Sequence, residues 1–84
     1  MKKFFVCRAV NRPDGTTAAP VESTDTREAS ESLFYLRCSQ AVTAVASGES
    51  LTDAVVWFSS DGFVIDSKGW KAPDPEPEPE PNQA

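Results

Sequence analysis

The chain has 84 residues, 39% of them hydrophobic, and a formal net charge of −5, so it can form at most one domain. It contains no histidine and only two cysteines, which excludes an ordinary zinc site, because such a site needs three or four nitrogen or sulfur ligands. Four of the 13 acidic residues follow position 72, so residues 1–71 are nearly neutral, which argues against electrostatic steering toward nucleic acid or an anionic membrane.

The first predicted unit is a β-hairpin. Residues 3–10 are rich in aromatic and β-branched side chains, which favours a strand. The sequence RPDGT at residues 12–16 predicts a turn, because proline presets its φ angle and glycine supplies a positive φ. Residues 16–22 then return as a second strand at a sheet edge, since Pro20 cannot donate a ladder hydrogen bond.

A single long helix follows. Asp25 and Glu28 have the spacing of a capping box, in which each side chain accepts a hydrogen bond from a free backbone N–H. The pattern predicts a helix over residues 26–47, ended by Gly48 in the left-handed conformation. Helical spacing places five small or apolar side chains on one stripe, the natural face for a sheet: Phe34, Cys38, Ala41, Val42 and Val45.

A second hairpin completes the predicted fold. Residues 54–58 form a strand, the turn SSDG follows at 59–62, and residues 63–66 form its partner. The predicted order is therefore ββαββ in the α+β class, a four-stranded, mainly antiparallel sheet with one helix packed on one face. Residues 1–71 are expected to form this compact domain. Residues 72–84 alternate proline with acidic residues and predict a disordered or extended polyproline II tail.

The N-terminal segment predicts a small soluble protein that is made in the cytoplasm without a signal peptide. Arg8 limits the first apolar run to residues 4–7, which is shorter than the roughly seven to fifteen apolar residues of a signal peptide. The longest run without a charge, 38–48, is far short of the roughly 20 apolar residues that cross a bilayer. In the reducing cytoplasm we expect Cys7 and Cys38 to be free thiols.

The predicted elements carry more apolar surface than they can cover themselves. Alternate strand side chains point to opposite faces, and both faces of residues 4–10 and of 54–58 are apolar. One helix covers one face, and large exposed apolar patches are rare on monomers. We therefore expect a homodimer or higher oligomer, or a complex with another protein; the alternative is a partly exposed sheet over which Trp70 folds back. The candidate interface residues are Phe4, Val6, Leu33, Leu36, Val56, Trp57 and Phe58.

No residue pattern indicates catalysis. Histidine, the usual general base near neutral pH, is absent. Cys7 in a strand and Cys38 on the helix stripe are typical of small buried hydrophobic residues rather than of activated thiolates. Turn preference explains Asp61, and solvation of a strand end explains Asp66. We therefore expect a protein that is not an enzyme, with no catalytic residue, metal, cofactor or small-molecule substrate.

Binding of single-stranded nucleic acid is the alternative function. Aromatic side chains on strands beside basic residues are typical of sheets on which bases stack, and the aromatic residues concerned are Phe4, Phe5, Trp57 and Phe58. The acidic tail would then occupy the basic surface in the absence of nucleic acid. A nearly neutral body offers little phosphate neutralisation, so protein binding is favoured. The tail never has the PxxP spacing and is interpreted as a solubilising spacer, with docking or mimicry of DNA as the alternatives.

Several short motifs also resemble known proteins. They are Asp14-Gly15-Thr16 in the first turn, Asp25-Thr26 and Ala29 at the helix start, Phe34-Tyr35 within it, Asp61-Gly62 in the second turn, and Ser67 with Trp70. Together they resemble small bacteriophage and prophage proteins of uncertain function. The resemblance covers residues 1–70 and implies an origin in a phage or mobile element. A virion-associated or host-factor-binding accessory role is consistent with it, and no functional residue follows from it.

Overall fold

The computed structural model describes residues 2–72 and confirms an α+β fold with one helix against an antiparallel sheet. The predicted polyproline II conformation of the tail lies, from residue 73 onward, outside the described residues. Six elements follow one another along the chain: β1 (Phe4–Asn11), β2 (Thr17–Ala18), β3 (Val21–Thr24), α1 (Arg27–Ser47), β4 (Thr52–Ser59) and β5 (Val64–Lys71).

The sheet has five strands rather than the four predicted, and the element order is βββαββ rather than ββαββ. β1 pairs with both β2 and β3 along one edge and with β4 along the other, and β5 pairs with β4. The predicted strand at 16–22 is divided at Ala19 and Pro20, because proline has no N–H to donate. The Arg8 N–H still donates to the Pro20 carbonyl at 3.2 Å, so both pieces stay aligned on β1.

The second hairpin is longer than predicted. β4 and β5 each contain eight residues, whereas the pattern predicted strands at 54–58 and 63–66. The difference arises because β5 lies at the sheet edge. Its polar residues and Gly69 reach solvent there, and pairing with β4 is enough to hold them extended. The register shifts beside Trp57 and Phe58, which is the position of a β-bulge.

The helix begins one residue later than predicted and has a different cap. Thr26 is the N-cap residue, and its side chain accepts a hydrogen bond from the Ala29 N–H at 3.1 Å. The predicted capping box of Asp25 and Glu28 is therefore wrong. The predicted end is confirmed, since Gly48 follows the helix with a φ of 85°, a left-handed conformation that glycine adopts without strain.

The core lies between the helix and one face of β1 and β4. Its buried cluster comprises Val6, Phe34, Cys38, Ala41, Val55 and Trp57. The Trp57 ring stacks on Phe34 with 5.4 Å between centroids, and its Nε1–H donates to the Ser30 hydroxyl at 2.8 Å. The buried indole therefore has the hydrogen-bond partner that burial demands. The predicted helix stripe is confirmed except at Val42, which is 44% exposed, while Ala44 is buried.

An ion pair lies within this covered face. Arg8 donates from Nε to Asp53 Oδ1 at 2.9 Å and from Nη2 to Oδ2 at 2.7 Å, and the Ser50 hydroxyl donates to Oδ2 at 3.2 Å. Asp53 is only 1% exposed. The hydrogen bond to Asp53 raises the pKa of Arg8, so the guanidinium stays charged. The bidentate pair allows β1 and β4 each to bury a charged residue.

A second bidentate pair joins β3 to the helix. Arg37 donates to the Glu22 carboxylate from Nε at 2.7 Å and from Nη2 at 2.6 Å. These hydrogen bonds lower the pKa of Glu22. The short edge strand is thus held to the helix by a charge-assisted contact as well as by its pairing with β1.

Replacing Asp53 by Asn is expected to destabilise the fold by about 3 kcal/mol, because it leaves the partly buried Arg8 charge without its counter-charge. Replacing both members, as Arg8→Met with Asp53→Leu, is expected to be much less destabilising, because no charge then remains to be buried. Chemical denaturation of the three proteins measures the difference. A double variant that is less stable than Asp53→Asn would contradict this account of the ion pair.

Replacing Glu22 by Gln is expected to remove a pH-dependent part of the stability. A carboxyl group whose pKa is lowered by folding stabilises the fold above its unfolded pKa, and this stabilisation is lost as pH falls through the folded value. The variant should therefore be less stable than wild type at neutral pH, by less than about 1 kcal/mol because the pair is partly exposed. The two proteins should converge as pH falls through the lowered pKa of Glu22 in the folded state. Thermal unfolding across this range checks it; a difference that persists in acid would contradict it.

Candidate interaction surface

The face of the sheet opposite the helix has no cover among residues 2–72. Its side chains alternate along the strands with the buried ones. Val21 and Ser23 of β3 lie at one edge of this face, and Asn11, Thr52 and Lys71 lie at one end. Its centre consists of nine residues on β1, β4 and β5: Phe5, Cys7, Ala9, Ala54, Val56, Phe58, Val64, Ser67 and Gly69. We call these nine residues the open face. None of them is charged, and five are half-buried by their neighbours alone.

The strand register aligns the open face in three rows that run across the strands. The large row is Phe5, Phe58 and Val64; the middle row is Cys7, Val56 and Ser67; the small row is Ala9, Ala54 and Gly69. Side-chain size therefore decreases in the same direction along all three strands. The open face is a wedge rather than a flat surface.

The large row forms a ridge and the small row the floor of a groove. The rings of Phe5 and Phe58 stack with 5.3 Å between centroids, and Val64 beside them is 62% exposed. The groove at the other end has a volume of about 780 Å³ and is also lined by Thr52 and Lys71. Ridge and groove lie side by side on one apolar surface.

The structure separates the predicted interface residues into three groups. Val56 and Phe58 lie on the open face. Leu36 is 50% exposed on the helix, and Leu33 packs partly against the core. The remaining three, Phe4, Val6 and Trp57, are at most 8% exposed and lie beneath the helix.

The prediction that Phe4, Val6 and Trp57 belong to an uncovered surface is therefore wrong. Arg8 shares the face of Val6 and Val10, and its bidentate pair with Asp53 allows the helix to cover this face. On β1, the predicted interface correspondingly missed Phe5, Cys7 and Ala9.

The two cysteines lie on opposite faces of the sheet. Cys7 belongs to the middle row of the open face and is half-buried, whereas Cys38 is buried beneath the helix. Both are free thiols. Burial raises the pKa of the Cys38 thiol, which disfavours the nucleophilic thiolate form.

The outer side of the helix presents a second, less continuous set of apolar side chains. Tyr35, Leu36 and Val42 are 44–51% exposed. Polar residues interrupt them, since Ser39, Gln40 and Thr43 are exposed on the same helix. The helix therefore lacks the continuous, mostly apolar rows that the open face has.

Within residues 2–72, no cluster of three or more His, Cys, Asp or Glu side chains is placed to hold a metal ion. No helix in the same range is long and apolar enough to cross a membrane. No protein-family model, curated protein or solved structure matches this chain. The bacteriophage resemblance therefore depends on the sequence motifs alone.

Proposed function

We propose that this protein is a non-enzymatic interaction module that acts by packing its open face against a second copy of itself. A phage-encoded accessory role, in the virion or against a host factor, fits a small protein that works through its surface. The observation that carries the proposal is the uncovered, uncharged open face on a sheet whose other face is already filled by the helix.

The size of this face supports the proposal. The whole side of the sheet that bears the open face is four strands wide, and strands about 4.8 Å apart with about 3.3 Å per residue give it roughly 500 Å² over eight residues. The apolar open face occupies about half of this area, and apolar patches of a few hundred Å² are often functional. Two copies packed face to face would bury about 1,000 Å² in total, near the lower limit for a specific interface. Association is therefore expected to depend on protein concentration.

The chemistry of the face favours a protein surface as its occupant. Its centre consists of Val56 and Cys7, with the two phenylalanine rings on one side. Such side chains gain free energy by leaving water and offer no hydrogen bonds to a polar ligand. An apolar protein face of matching shape is the partner that these residues can recognise.

Replacing Val56 by Asp is expected to abolish self-association and to leave the fold intact, because the new carboxylate lies at the centre of the open face, outside the core. Val42→Asp is the matched control: it makes the same chemical change at an exposed apolar position on the helix. Molar mass by light scattering across a concentration series, with circular dichroism to check folding, compares both variants with wild type.

Wild type and Val42→Asp should associate with rising concentration, and Val56→Asp should stay monomeric. A wild-type protein that is monomeric at every concentration would contradict self-association. Dissociation by Val42→Asp with Val56→Asp unaffected would move the interface to the helix.

The stacked pair of Phe5 and Phe58 is the observation that favours single-stranded nucleic acid as an alternative ligand. The other two aromatic residues of that prediction, Phe4 and Trp57, lie beneath the helix and cannot stack on bases. A ring pair already stacked on itself also offers only partial faces.

We therefore expect no salt-sensitive binding of a labelled single-stranded oligonucleotide. Fluorescence anisotropy of the full chain tests this. Binding that weakens with salt, is lost in Phe58→Ala and strengthens when the acidic residues at 74–80 are replaced by glutamine would support the nucleic-acid function instead.

A further inference from the structure

We infer that the second copy packs on the open face in the inverted direction, so that the large row of each copy lies on the small row of the other. The two-fold axis then runs across the strands along the middle row. This inference rests on the proposed self-association and specifies its geometry. It follows from the common direction in which side-chain size decreases along β1, β4 and β5.

The size order decides between the two ways of stacking the faces. Packed sheets lie about 10 Å apart and their side chains must fill the space between them. Stacking the copies in the same direction would press phenylalanine on phenylalanine and leave a void over the small row. Inversion places Phe5 over Ala9, Phe58 over Ala54 and Val64 over Gly69 of the other copy, so each large side chain meets a small one. Close packing of this kind is what stable interfaces require.

A two-fold axis along the middle row makes each of its residues face its own equivalent. An isologous interface has this property by symmetry. Cys7 therefore faces Cys7 of the second copy, and Val56 faces Val56. The only thiol on the open face lies on the axis, which gives the arrangement a chemical reporter.

The charged groups at the two ends of the sheet also favour inversion. Lys71 lies at the small-row end, and no carboxylate among residues 2–72 lies within 4 Å of its ammonium group. Asp61 lies in the turn at the large-row end. Its Oδ2 is 3.4 Å from the Nζ of Lys2, which lies at the same end. Inversion brings Lys71 toward Asp61 of the other copy.

The sheet edges offer a second copy less than the open face does. The edge formed by β2 and β3 is broken at Pro20. On β5, the Ala72 N–H donates to the Leu51 carbonyl at 2.8 Å, and the alternation of an antiparallel ladder then turns the Ser67 N–H outward. The Asp66 carboxylate accepts a hydrogen bond from this N–H at 2.8 Å. The β2–β3 edge is thus interrupted and one outward N–H of β5 is occupied, and both features disfavour strand addition.

Exchanging a facing pair of residues tests the inverted register. Phe58→Ala removes the ridge, and Ala54→Phe fills the groove of the other copy, so each single variant is expected to weaken the dimer by at least about tenfold. The double variant Phe58→Ala with Ala54→Phe restores one large and one small side chain at each contact. Its dissociation constant, measured by sedimentation equilibrium, is expected to return to within about threefold of wild type.

A double variant that is as weak as the two single effects combined would overturn the register. If wild type still associates and Val56→Asp still dissociates it, the proposed function stands and this geometry fails. If wild type does not associate at all, the proposed function fails as well. Thermal unfolding of each variant shows whether a loss of association comes from a loss of fold.

Thiol cross-linking tests the axis without any change to the packing. A short bismaleimide added to the full-length wild-type protein is expected to give a covalent dimer. Cys38→Ala should retain this product, because Cys38 lies beneath the helix, and Cys7→Ser should lose it. A cross-linked dimer that persists in Cys7→Ser, or no dimer from an associated wild-type protein, would place the axis elsewhere.

Discussion

Arg8 and Asp53 lie on neighbouring strands, on the face of the sheet that the helix covers, and either charge alone would be costly to bury there. Joined by two hydrogen bonds of 2.9 and 2.7 Å, they form a unit that can sit beneath the small side chains of the helix. Val6, Val55 and Trp57 share this face and are buried beside Asp53, while Arg8 is partly buried. The pair therefore permits the orientation of the sheet against the helix, and that orientation decides which residues remain uncovered.

The open face is a consequence of that choice. One helix can cover one face of a sheet, and this chain has no second helix among its described residues. The uncovered side chains are apolar, and their size falls steadily from the phenylalanine row to the row of Ala9, Ala54 and Gly69. A wedge that lacks charge is complementary to its own inverted copy. Packing, rather than chemistry at a reactive group, thus links the sequence to the proposed role.

The sequence predicted the fold class, the two hairpins and the end of the helix, because turns and caps depend on local residues such as Gly15, Pro20 and Gly48. It also predicted that one apolar face lacks a cover. It named the wrong face as uncovered. The pairing of Arg8 with Asp53, which allows the helix to cover the face of Val6, joins residues 45 positions apart, and the pattern along one strand shows only an isolated charge. Opposite charges on the same face of two neighbouring strands, each between apolar residues that are usually buried, would have indicated the pair. The taper of the open face depends on strand register, which no single segment contains.

Concentration-dependent NMR of the wild-type protein tests the central claim most directly, because it locates the interface without altering it. On dilution of the ¹⁵N-labelled chain, the account predicts chemical-shift changes that cluster at the open face, strongest around Cys7 and Val56 in the middle row. The outer helix residues Tyr35 and Val42 should stay unchanged. Shifts confined to the helix, or a spectrum that does not change with concentration while the protein remains monomeric, would contradict it.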